Sequence, residues 1–592
     1  MHHDDHDDGQ DPKETINYRE TFRLLAGLIN SRRRPFAVAL VYTMVSTLVS
    51  LLIPIIAKYV IDTALPAKDP SALLLATGAY LATTVVFLYF NYLQVVQLAK
   101  AGQDLIVDLK ERLLGHMLSL DLEFYSSMPV GRLTARVQSD TSTLYALFTN
   151  TVISIVNDAL MFAIAFFVMA YYNLKLTLML VPMFPVLAVL GWVFVKVTSP
   201  MYVKVRKLAA EVPGFLTEQL NGIGVLQAFS REEDTSRKME DLNRRKFTAE
   251  MRVELLNVVF FLSIVFLHPA TTAAVFGIGG KMVMAGKLTV GVIVMFVMYL
   301  GYLFEPIFRF SEHLSVIQRS FSAGHRISKI LALKPALTEP PEPHFLTTVR
   351  GSIDFRNVWM RYREDAGWVL KNVSFTLPRG QSLAILGETG GGKTTVTSLL
   401  FRFYDFQKGH IEIDGTDIRK LSLGSLRSAI GLVQQDIYLF PGTVMDNLKL
   451  MDASIPDGRV HDAIRVMGLD SFYKKHPLDK KVKEKGANLS IGEKQVISLT
   501  RAMVLDQEVL VLDEATSNMD PHTERLITSA IKSLLKHKTV IIIAHRLSTI
   551  RSADRIMMIS GGEVRELGTH DELLAAGGLY SKYYRLQYGE GE

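Results

Sequence analysis

Residues 382–395 of this chain read SLAILGETGGGKTT, and this stretch decides the fold of the second half of the protein. It opens with an apolar run of strand type, continues through a glycine loop and ends where a helix is expected to begin. The segment from Gly387 to Thr394 fits the pattern G-x-x-x-x-G-K-[ST], in the context of strand, loop and helix that the pattern requires. The stretch therefore predicts a loop that binds phosphate groups at a helix N-terminus.

The residue types of this loop suit that chemistry. Its glycines allow backbone N–H groups to curl around phosphates, where the helix dipole favours negative charge. Lys393 is placed to reach the β and γ phosphates of a nucleotide, and the hydroxyl of Thr394 to hold Mg²⁺. The glycines concerned are Gly387, Gly390, Gly391 and Gly392. The alternative is a glycine loop that is merely flexible.

Two carboxylates follow an apolar strand in the sequence EVLVLDEATSNMD at 508–520. Ligands of open α/β folds bind at the carboxyl ends of the strands, which is where Asp513 and Glu514 are expected to lie. Asp513 suits the Mg²⁺ shell through a water, and Glu514 could polarise an attacking water as a general base. Alternatively, the two acids cap the next helix.

Two further polar residues follow strand-type runs. His545 ends TVIIIAH, and Gln435 ends GLVQQ. Parallel strands would bring both side chains to the same sheet edge as the phosphate loop. We therefore expect His545 to contact the γ-phosphate and Gln435 to complete the metal shell while sensing that phosphate. A lone histidine is more often structural, which is the alternative for His545.

The second half of the chain is predicted to be an α/β domain at 351–592. Short β-type runs alternate there with helical stretches, which indicates a largely parallel sheet. The proline-rich run ALKPALTEPPEPHF cannot form regular helix or sheet, so we place a linker at 329–350.

The first half is predicted to be an α-helical transmembrane domain at 35–328. Six apolar runs reach the roughly 20 residues needed to cross about 30 Å of hydrocarbon. The links at about 100–150 and 198–254 are long, charged and helical in pattern, so the membrane helices should continue well beyond the bilayer. The runs lie near 35–57, 71–99, 151–172, 176–197, 255–280 and 288–310.

The links alternate short and long, so both long links emerge on the same side as the termini. Basic clusters such as Arg32-Arg33-Arg34 lie on that side, which the positive-inside rule makes cytoplasmic. Residues 14–34 are expected to form an interfacial elbow helix, and residues 1–13 a disordered polar tail without the features of a signal peptide. We expect a multi-pass protein of a bacterial inner or cell membrane, with its termini and α/β domain in the cytoplasm.

Composition narrows the function classes. The chain has 592 residues, so two or more domains are expected. The net charge of +6 is too diffuse to indicate nucleic-acid binding. There are no cysteines, which excludes disulfides, thiolate metal sites and cysteine nucleophiles.

These motifs in this order resemble the nucleotide-binding domain of ATP-binding cassette (ABC) proteins. The whole chain resembles an ABC exporter half-transporter, with six membrane helices followed by one such domain. The resemblance implies ATP and Mg²⁺ as cofactors and ATP hydrolysis coupled to transport across a lipid bilayer. It also implies that two domains sandwich two ATP molecules, each held between the phosphate loop of one and the signature loop of the other. Closure would then switch the membrane cavity from inward to outward facing.

The resemblance also assigns roles to single residues. Tyr362 is similar to the aromatic residue that stacks on adenine, and Gln435 to the glutamine that links Mg²⁺ to the membrane domain. Asp513 and Glu514 resemble the Walker B aspartate and the catalytic glutamate, Asp520 the D-loop aspartate and His545 the switch histidine. Glu388, Thr389 and Thr395, within or beside the phosphate loop, are implied to bind ATP. Residues 124–140 and 218–233 resemble the first and second intracellular loops.

The stretch LSIGEKQ at 489–495 occupies the position of the family's signature, commonly LSGGQ. Ser490 and Gly492 are retained for contact with the ATP of a partner. Ile491 adds a β-branched side chain where backbone must approach closely, and Glu493 brings a carboxylate near a tri-anion, so we expect the site that this loop closes to be impaired. A heterodimer with a second half-transporter would restore one competent site. Tolerated drift in a homodimer is the alternative.

Polar residues inside the predicted spans suggest a substrate cavity. Ionisable groups in a membrane are costly and usually functional. For several of them, hydrogen bonding between helices or a position near an interface is an equally good explanation. The candidates are Asn91, Gln94, Asp158, His268 and Glu305.

The leading function is therefore ATP-driven efflux of amphipathic, drug-like or lipid-like compounds. The alternatives are a homodimeric lipid or peptide exporter, and an ATP-gated channel or regulatory membrane protein.

Overall fold

The computed structural model describes residues 18–346, 349–513, 521–536, 538–544 and 547–588. The chain forms two compact units. The helical unit comprises Met1–Leu118 and Pro129–Leu333, and the sheet unit comprises Ser119–Met128 and Lys334–Glu592. The predicted transmembrane domain at 35–328 includes the segment Ser119–Met128, which the structure groups with the sheet unit instead.

Among its described residues, the helical unit contains six helical segments that are long and apolar enough to span a membrane, as the sequence predicts. An amphipathic helix, Tyr18–Ser31, precedes them. Leu174–Asn221 ends at a short helix, Ile223–Ala228. Spans one to six are Arg33–Ala67, Pro70–Leu118, Val130–Tyr172, Leu174–Asn221, Glu232–Met284 and Val290–Ala332.

Several spans are interrupted. Single π-helical turns lie at Val60–Ala64, Arg136–Asp140 and Leu147–Thr151. Such turns re-aim the following side chains and often occur at functional sites. Regular helix in spans one, three and four covers Arg33–Ser50, Leu52–Tyr59, Leu65–Ala67, Val130–Ala135, Thr141–Ala146, Val152–Tyr172, Leu174–Leu178 and Met183–Asn221.

The helices extend far beyond a bilayer. Span five has 53 residues. At 1.5 Å per residue it is about 80 Å long, against about 30 Å of hydrocarbon. The expectation that the long links continue the membrane helices is therefore confirmed.

Span six is the most buried helix of this unit. Its apolar residues recur at helical spacing between Met295 and Phe304 and are almost fully buried. The Tyr299 hydroxyl donates to the backbone carbonyl of Leu51 at 2.6 Å. At the start of span six, Asp62 accepts the backbone N–H of Gly291 at 2.8 Å and the hydroxyl of Thr289 at 2.6 Å. These contacts attach span six to span one at two levels.

The sheet unit contains twelve strands in its described residues. They are β1 (Ile353–Met360), β2 (Leu370–Leu377), β3 (Ser382–Leu386), β4 (Lys408–Ile413), β5 (Thr416–Asp417), β6 (Ile430–Val433), β7 (Gly442–Thr443), β8 (Lys481–Val482), β9 (Val509–Asp513), β10 (Thr539–Ile543), β11 (Arg555–Ser560) and β12 (Glu563–Gly568).

One described helix of this unit precedes the strands in sequence, two follow the last strand, and the others lie between strands. In chain order, these helices are Leu122–Ser127, Lys393–Leu400, Leu423–Ala429, Val444–Leu448, Asp457–Val466, Asp470–Lys475, the 3₁₀ turn Glu484–Gly486, Ile491–Leu505, Pro521–Leu535, Leu547–Ser552, His570–Ala575 and Leu579–Tyr588.

The main sheet has six strands in the order β12-β11-β3-β10-β9-β6. All neighbours are parallel except β11 and β12, so the predicted, largely parallel sheet is confirmed. Its strands read as continuous apolar runs because both faces are buried. The carboxyl ends of β3, β6, β9 and β10 lie at one edge, where the predicted site residues follow.

A second sheet, in the order β2-β1-β4-β5, is antiparallel. One apolar core lies between it and the main sheet and includes Phe355, Phe375 and Ile385. A second core covers the other face with helices, including Val496 and Leu499 of Ile491–Leu505. The helix after the phosphate loop and the signature helix therefore contribute to different cores of one unit.

Candidate nucleotide-binding site and membrane cavity

The loop between β3 and helix Lys393–Leu400 requires glycine at specific positions. Gly392 has φ of +105°, and an added Cβ would lie 2.6 Å from Leu370 Cδ2. At Gly387 an added Cβ would meet the backbone oxygen of Ile559 at 2.0 Å. The glycines are thus needed for backbone conformation and close packing as well as for an approach by phosphate.

Lys393 closes the loop on itself. Its Nζ donates to the backbone oxygens of Gly387 at 2.8 Å and Glu388 at 2.9 Å. Burial lowers the pKa of this ammonium, while the nearby Asp513 carboxylate acts in the opposite direction. The cation is therefore held inside the loop, where it can meet a phosphate at little cost in conformational entropy.

Most of the predicted nucleotide residues meet around one cavity of about 580 Å³, whereas Gly387, Glu388 and Gly391 are not among its lining residues. Thr394, Gln435 and Asp513 all line it, although they follow three different strands. Their hydroxyl, carboxamide and carboxylate oxygens are the hard ligands that Mg²⁺ takes, so the residues present fit that ion. The other lining residues are Tyr362, Val369, Thr389, Gly390, Gly392, Lys393, Thr395 and Ile543.

Tyr362 stands at the border of this cavity with its ring about 40% exposed. Its hydroxyl lies 2.9 Å from Thr395 Oγ1, and its ring meets the edge of Tyr404 at 4.9 Å. These two contacts fix the plane of an aromatic ring that remains accessible, which suits stacking on a planar base.

Three predicted residues lie outside the described part of the chain. They are the catalytic candidates Glu514 and His545 and the D-loop residue Asp520. The strands that precede Glu514 and His545 are described, and β9 and β10 end at Asp513 and Ile543 on the cavity side. Their roles stay predictions.

The signature stretch is organised by a capping box. Ser490 precedes helix Ile491–Leu505, and its Oγ accepts the backbone N–H of Glu493 at 3.2 Å. In return, Glu493 Oε2 accepts the backbone N–H of Ser490 at 2.7 Å. This reciprocal pair uses a Ser or Thr followed three residues later by Glu or Gln. LSGGQ and LSIGE therefore provide the same cap.

The second carboxylate oxygen of Glu493 is also occupied. It lies 3.1 Å from Nε2 of His476. The signature motif predicts this carboxylate near a partner's phosphates; within this chain its two oxygens contact the backbone of Ser490 and the ring of His476. Ile491, by contrast, is 61% exposed at the first position of the helix.

The helical unit contains a cavity of about 610 Å³. Asn91, Gln94 and Glu305, three of the predicted cavity residues, line it. Carboxamide and hydroxyl groups of Ser46, Thr47, Ser50, Asn150, Ser154 and Asn157 share the wall with apolar groups of Ile53, Phe87, Val95, Leu98 and Met161.

The other two predicted residues are not among those lining this cavity. Asp158 is buried beside Arg309 and His313 of span six. His268 is half-buried, with its ring edge against Phe304 at 5.0 Å. Sequence reasoning missed Arg309, which lines the cavity four residues after Glu305. The spacing of i and i+4 on one helix was the available signal.

Comparison with known proteins agrees with these observations. The family model described as ABC transporter transmembrane region matches residues 36–307, and the model described as ABC transporter matches residues 370–517. An uncharacterized ABC transporter ATP-binding protein, YknV, of Bacillus subtilis (strain 168) is 33% identical over 97% of this chain and 96% of its own.

Two further similarities bear on function. An ATP-dependent lipid A-core flippase of Desulfotalea psychrophila (strain LSv54 / DSM 12343) is 32% identical over 84% of this chain and 87% of its own. A solved structure of a bacterial Atm1-family ABC exporter with ATP bound superposes with a TM-score of 0.76 at 26% identity. That match covers 95% of this chain and 99% of the other.

Proposed function

The chain belongs to the ABC transporter family as a six-span exporter half that couples ATP hydrolysis to transport, and on that premise we propose that it exports amphipathic, drug-like or lipid-like compounds. The observation that carries this proposal is the wall of the cavity in the helical unit. Carboxamides and hydroxyls alternate there with apolar side chains, within helices long enough to cross a bilayer. Such a wall suits a molecule with a polar head and an apolar body.

The similarity to the ATP-dependent lipid A-core flippase supports the same class, because that relative is a lipid flippase and lipids are amphipathic. The cavity volume of about 610 Å³ lies within the usual range of about 300–1,000 Å³ for small-molecule sites.

We assign the chemistry of the nucleotide site to residues of this chain. Lys393 and the loop glycines bind the phosphates, and Tyr362 stacks on the base. Thr394, Gln435 and Asp513 would hold Mg²⁺, which when bound neutralises phosphate charge. Glu514 acts as general base on the attacking water, and His545 contacts the γ-phosphate.

One segment of the sheet unit suits the transmission of closure to the membrane helices. Ser119–Met128 lies between spans two and three in sequence but packs in the sheet unit. The carboxylate of Asp121 accepts the backbone N–H of Leu337 at 3.2 Å and that of Ala336. A movement of this unit would therefore pull directly on two spans.

For assembly, we propose a heterodimer with a second half-transporter in a bacterial cell membrane, with the sheet unit in the cytoplasm. The support for a heterodimer is Ile491, whose β-branched side chain is exposed at the start of the signature helix. We expect a partner's nucleotide to approach at this position. A self-dimer is the second candidate. The capping role of Glu493 favours it, because a carboxylate bonded to its own helix and close to His476 is less free to repel a partner's phosphates.

The test begins with the chain purified alone in detergent, where dimer mass and ATPase activity are measured. A heterodimer predicts little hydrolysis until the partner is added. Robust hydrolysis by a self-dimer, abolished in Glu514→Gln, would exclude the heterodimer.

Export itself is tested in proteoliposomes with a fluorescent amphiphile. ATP-dependent accumulation against a gradient is the expected result. ATP-dependent conductance without uphill accumulation would instead identify an ATP-gated channel.

A further inference from the structure

The guanidinium of Arg309 lies close to two carboxylates beside the cavity of the helical unit. Arg309 Nη2 donates to Glu305, and its Nη1 donates to Ser154 Oγ at 3.3 Å. The same Nη1 lies 3.7 Å from Asp158 Oδ1, which is an ion-pair distance but longer than a hydrogen bond. The guanidinium is therefore bonded to Glu305 and only close to Asp158.

Of Arg309 and the two carboxylates, Asp158 is the most buried and has an oxygen without a hydrogen-bond partner among the described residues. It is 6% exposed within span three, and the oxygen concerned is Oδ1. His313 Nε2 lies 3.6 Å from Oδ2, also beyond hydrogen-bond distance. Glu305 and Asp158 therefore share one guanidinium, which is hydrogen-bonded to Glu305 and not to Asp158.

The described cavity wall contains no second basic residue that could pair with these carboxylates. Its only ionisable acid and base are Glu305 and Arg309, apart from the two tyrosines Tyr145 and Tyr302. The remaining polar groups are amides and hydroxyls, which solvate a charge without cancelling it. An uncompensated carboxylate at membrane depth is costly, so a cation entering the cavity would be bound favourably.

The geometry also provides a way to exchange partners. The Glu305 side chain is 51% exposed, so a ligand can reach it from the cavity. A shift of about 1 Å would bring the guanidinium from 3.7 Å to hydrogen-bond distance of Asp158. Arg309 carries five N–H donors in a rigid fork and can pair with either carboxylate.

We propose that this cavity selects amphipathic organic monocations, which bind Glu305 while Arg309 transfers to Asp158. In this arrangement Arg309 is an internal counter-ion that the substrate replaces. The inference rests on the proposed export function and names its substrate class. The apolar half of the wall, including Phe87 and Met161, would hold the hydrophobic body of the cation.

The proposal is tested by equilibrium binding to the full-length protein in nanodiscs without ATP, as the dimer that it forms. The probes are tetraphenylphosphonium and tetraphenylborate, which have nearly the same shape and opposite permanent charge. Protein-free nanodiscs give the lipid background. We expect the cation to bind at least about 10-fold more tightly than the anion, as for one favourable charge pair. Equal affinities, or tighter binding of the anion, would overturn the proposal.

Three variants separate the roles. Glu305→Gln should weaken binding of tetraphenylphosphonium about 10-fold, because it removes the carboxylate that the cation meets. Arg309→Gln should strengthen binding several-fold, because it removes the competing cation. Glu312→Gln removes an exposed carboxylate from the same helix, outside the cavity wall, and should leave affinity within about twofold.

The opposite signs keep the test informative if one variant is unstable. Weaker cation binding by Arg309→Gln would contradict the exchange of partners. Because binding is measured without ATP, a failure of transport would not affect this result. Conversely, uphill transport of a neutral amphiphile by a cavity without charge preference would retain the proposed function and exclude this substrate class.

Discussion

Two glycine-containing segments of the sheet unit each contain the start of a helix. They differ in whether a side chain caps the N-terminus of that helix. Gly392 precedes helix Lys393–Leu400 in a left-handed conformation and provides no side-chain cap. Ser490 precedes helix Ile491–Leu505 and forms a complete capping box with Glu493. The first N-terminus has no side-chain cap and is open to a phosphate, whereas side chains of the second bond two of its backbone N–H groups, those of Ser490 and Glu493.

The difference shows what each segment can do for a nucleotide. The phosphate loop offers backbone donors, a buried ammonium and a cavity of its own. The signature segment offers the hydroxyl of Ser490, whose oxygen already accepts the backbone N–H of Glu493. The exposed Ile491 lies beside it. The first segment has the geometry of a phosphate-binding site within this chain, whereas the second presents a capped helix start and an exposed side chain, in keeping with the prediction that another chain completes its site.

The largest expected effect is on the phosphate loop. Lys393→Ala removes the charge-assisted contact of the ammonium with phosphate, which contributes about 1.5–3 kcal/mol, and the upper end of that range is about 100-fold in affinity. We expect the affinity for Mg-ATP to fall about 100-fold, measured by calorimetry on the detergent-solubilised chain. Lys420→Ala, at an exposed lysine of the same unit, is the control and should bind normally. Unchanged affinity of the Lys393 variant would show that phosphate binds elsewhere.

Gly392→Ala tests the backbone of the same loop. The left-handed φ and the 2.6 Å approach to Leu370 should cost about 1–3 kcal/mol, seen as a lower thermal unfolding midpoint. Gly458 lies in a helix with no atom within 4 Å of an added Cβ, so Gly458→Ala should be neutral or stabilising. Equal midpoints for the two variants would mean that the loop relaxes without strain.

Substitutions of Glu493 distinguish its role in the capping box from an effect of its charge on a partner's ATP. Glu493→Ala should destabilise the chain by about 1 kcal/mol in denaturant unfolding, while Glu493→Gln keeps the cap and should cost much less. Turnover of Glu493→Gln in the assembled dimer should stay within about twofold of the parent. A clear rise in turnover would show that the carboxylate does repel a partner's ATP.

The smallest expected effect is the pH dependence of the free energy of unfolding that comes from His476. Burial lowers the pKa of His476, with Lys480 and Lys475 acting in the same direction and Glu493 opposing them. The unfolded state therefore binds the proton more readily, so this contribution to stability is present above pH about 6.5 and is lost as the pH falls below it. The parent should lose more stability than His476→Gln between about pH 7.5 and 5.5. A parent that gains stability on acidification would show that the ion pair with Glu493 dominates.

Much of the nucleotide site could be predicted from local sequence. The phosphate loop, Asp513 and Gln435 each follow an apolar strand, and parallel pairing of β3, β9 and β6 through β10 leaves their side chains at one edge. The pattern S-x-x-E at 490–493 also indicates a capping box. We interpreted Glu493 instead by the negative charge that it adds to the LSGGQ pattern.

The membrane residues were harder because hydropathy reports the polarity of a helix and not the neighbour that it faces. Asn91 and Glu305 reached the cavity as expected, whereas His268 packs against Phe304. Asp158 was identified as unusual, but its relation to Arg309 depends on the packing of span three against span six.

By itself, the sequence determined six apolar segments, a parallel α/β domain and the residues of a phosphate loop, because each depends on periodicity or on chemistry within a few neighbouring residues. Only the tertiary structure decided where side chains distant in sequence meet. It paired Glu493 with His476, and it placed Arg309 between Glu305 and Asp158. Those contacts join separate helices, and their energies depend on distances and burial that no local pattern contains.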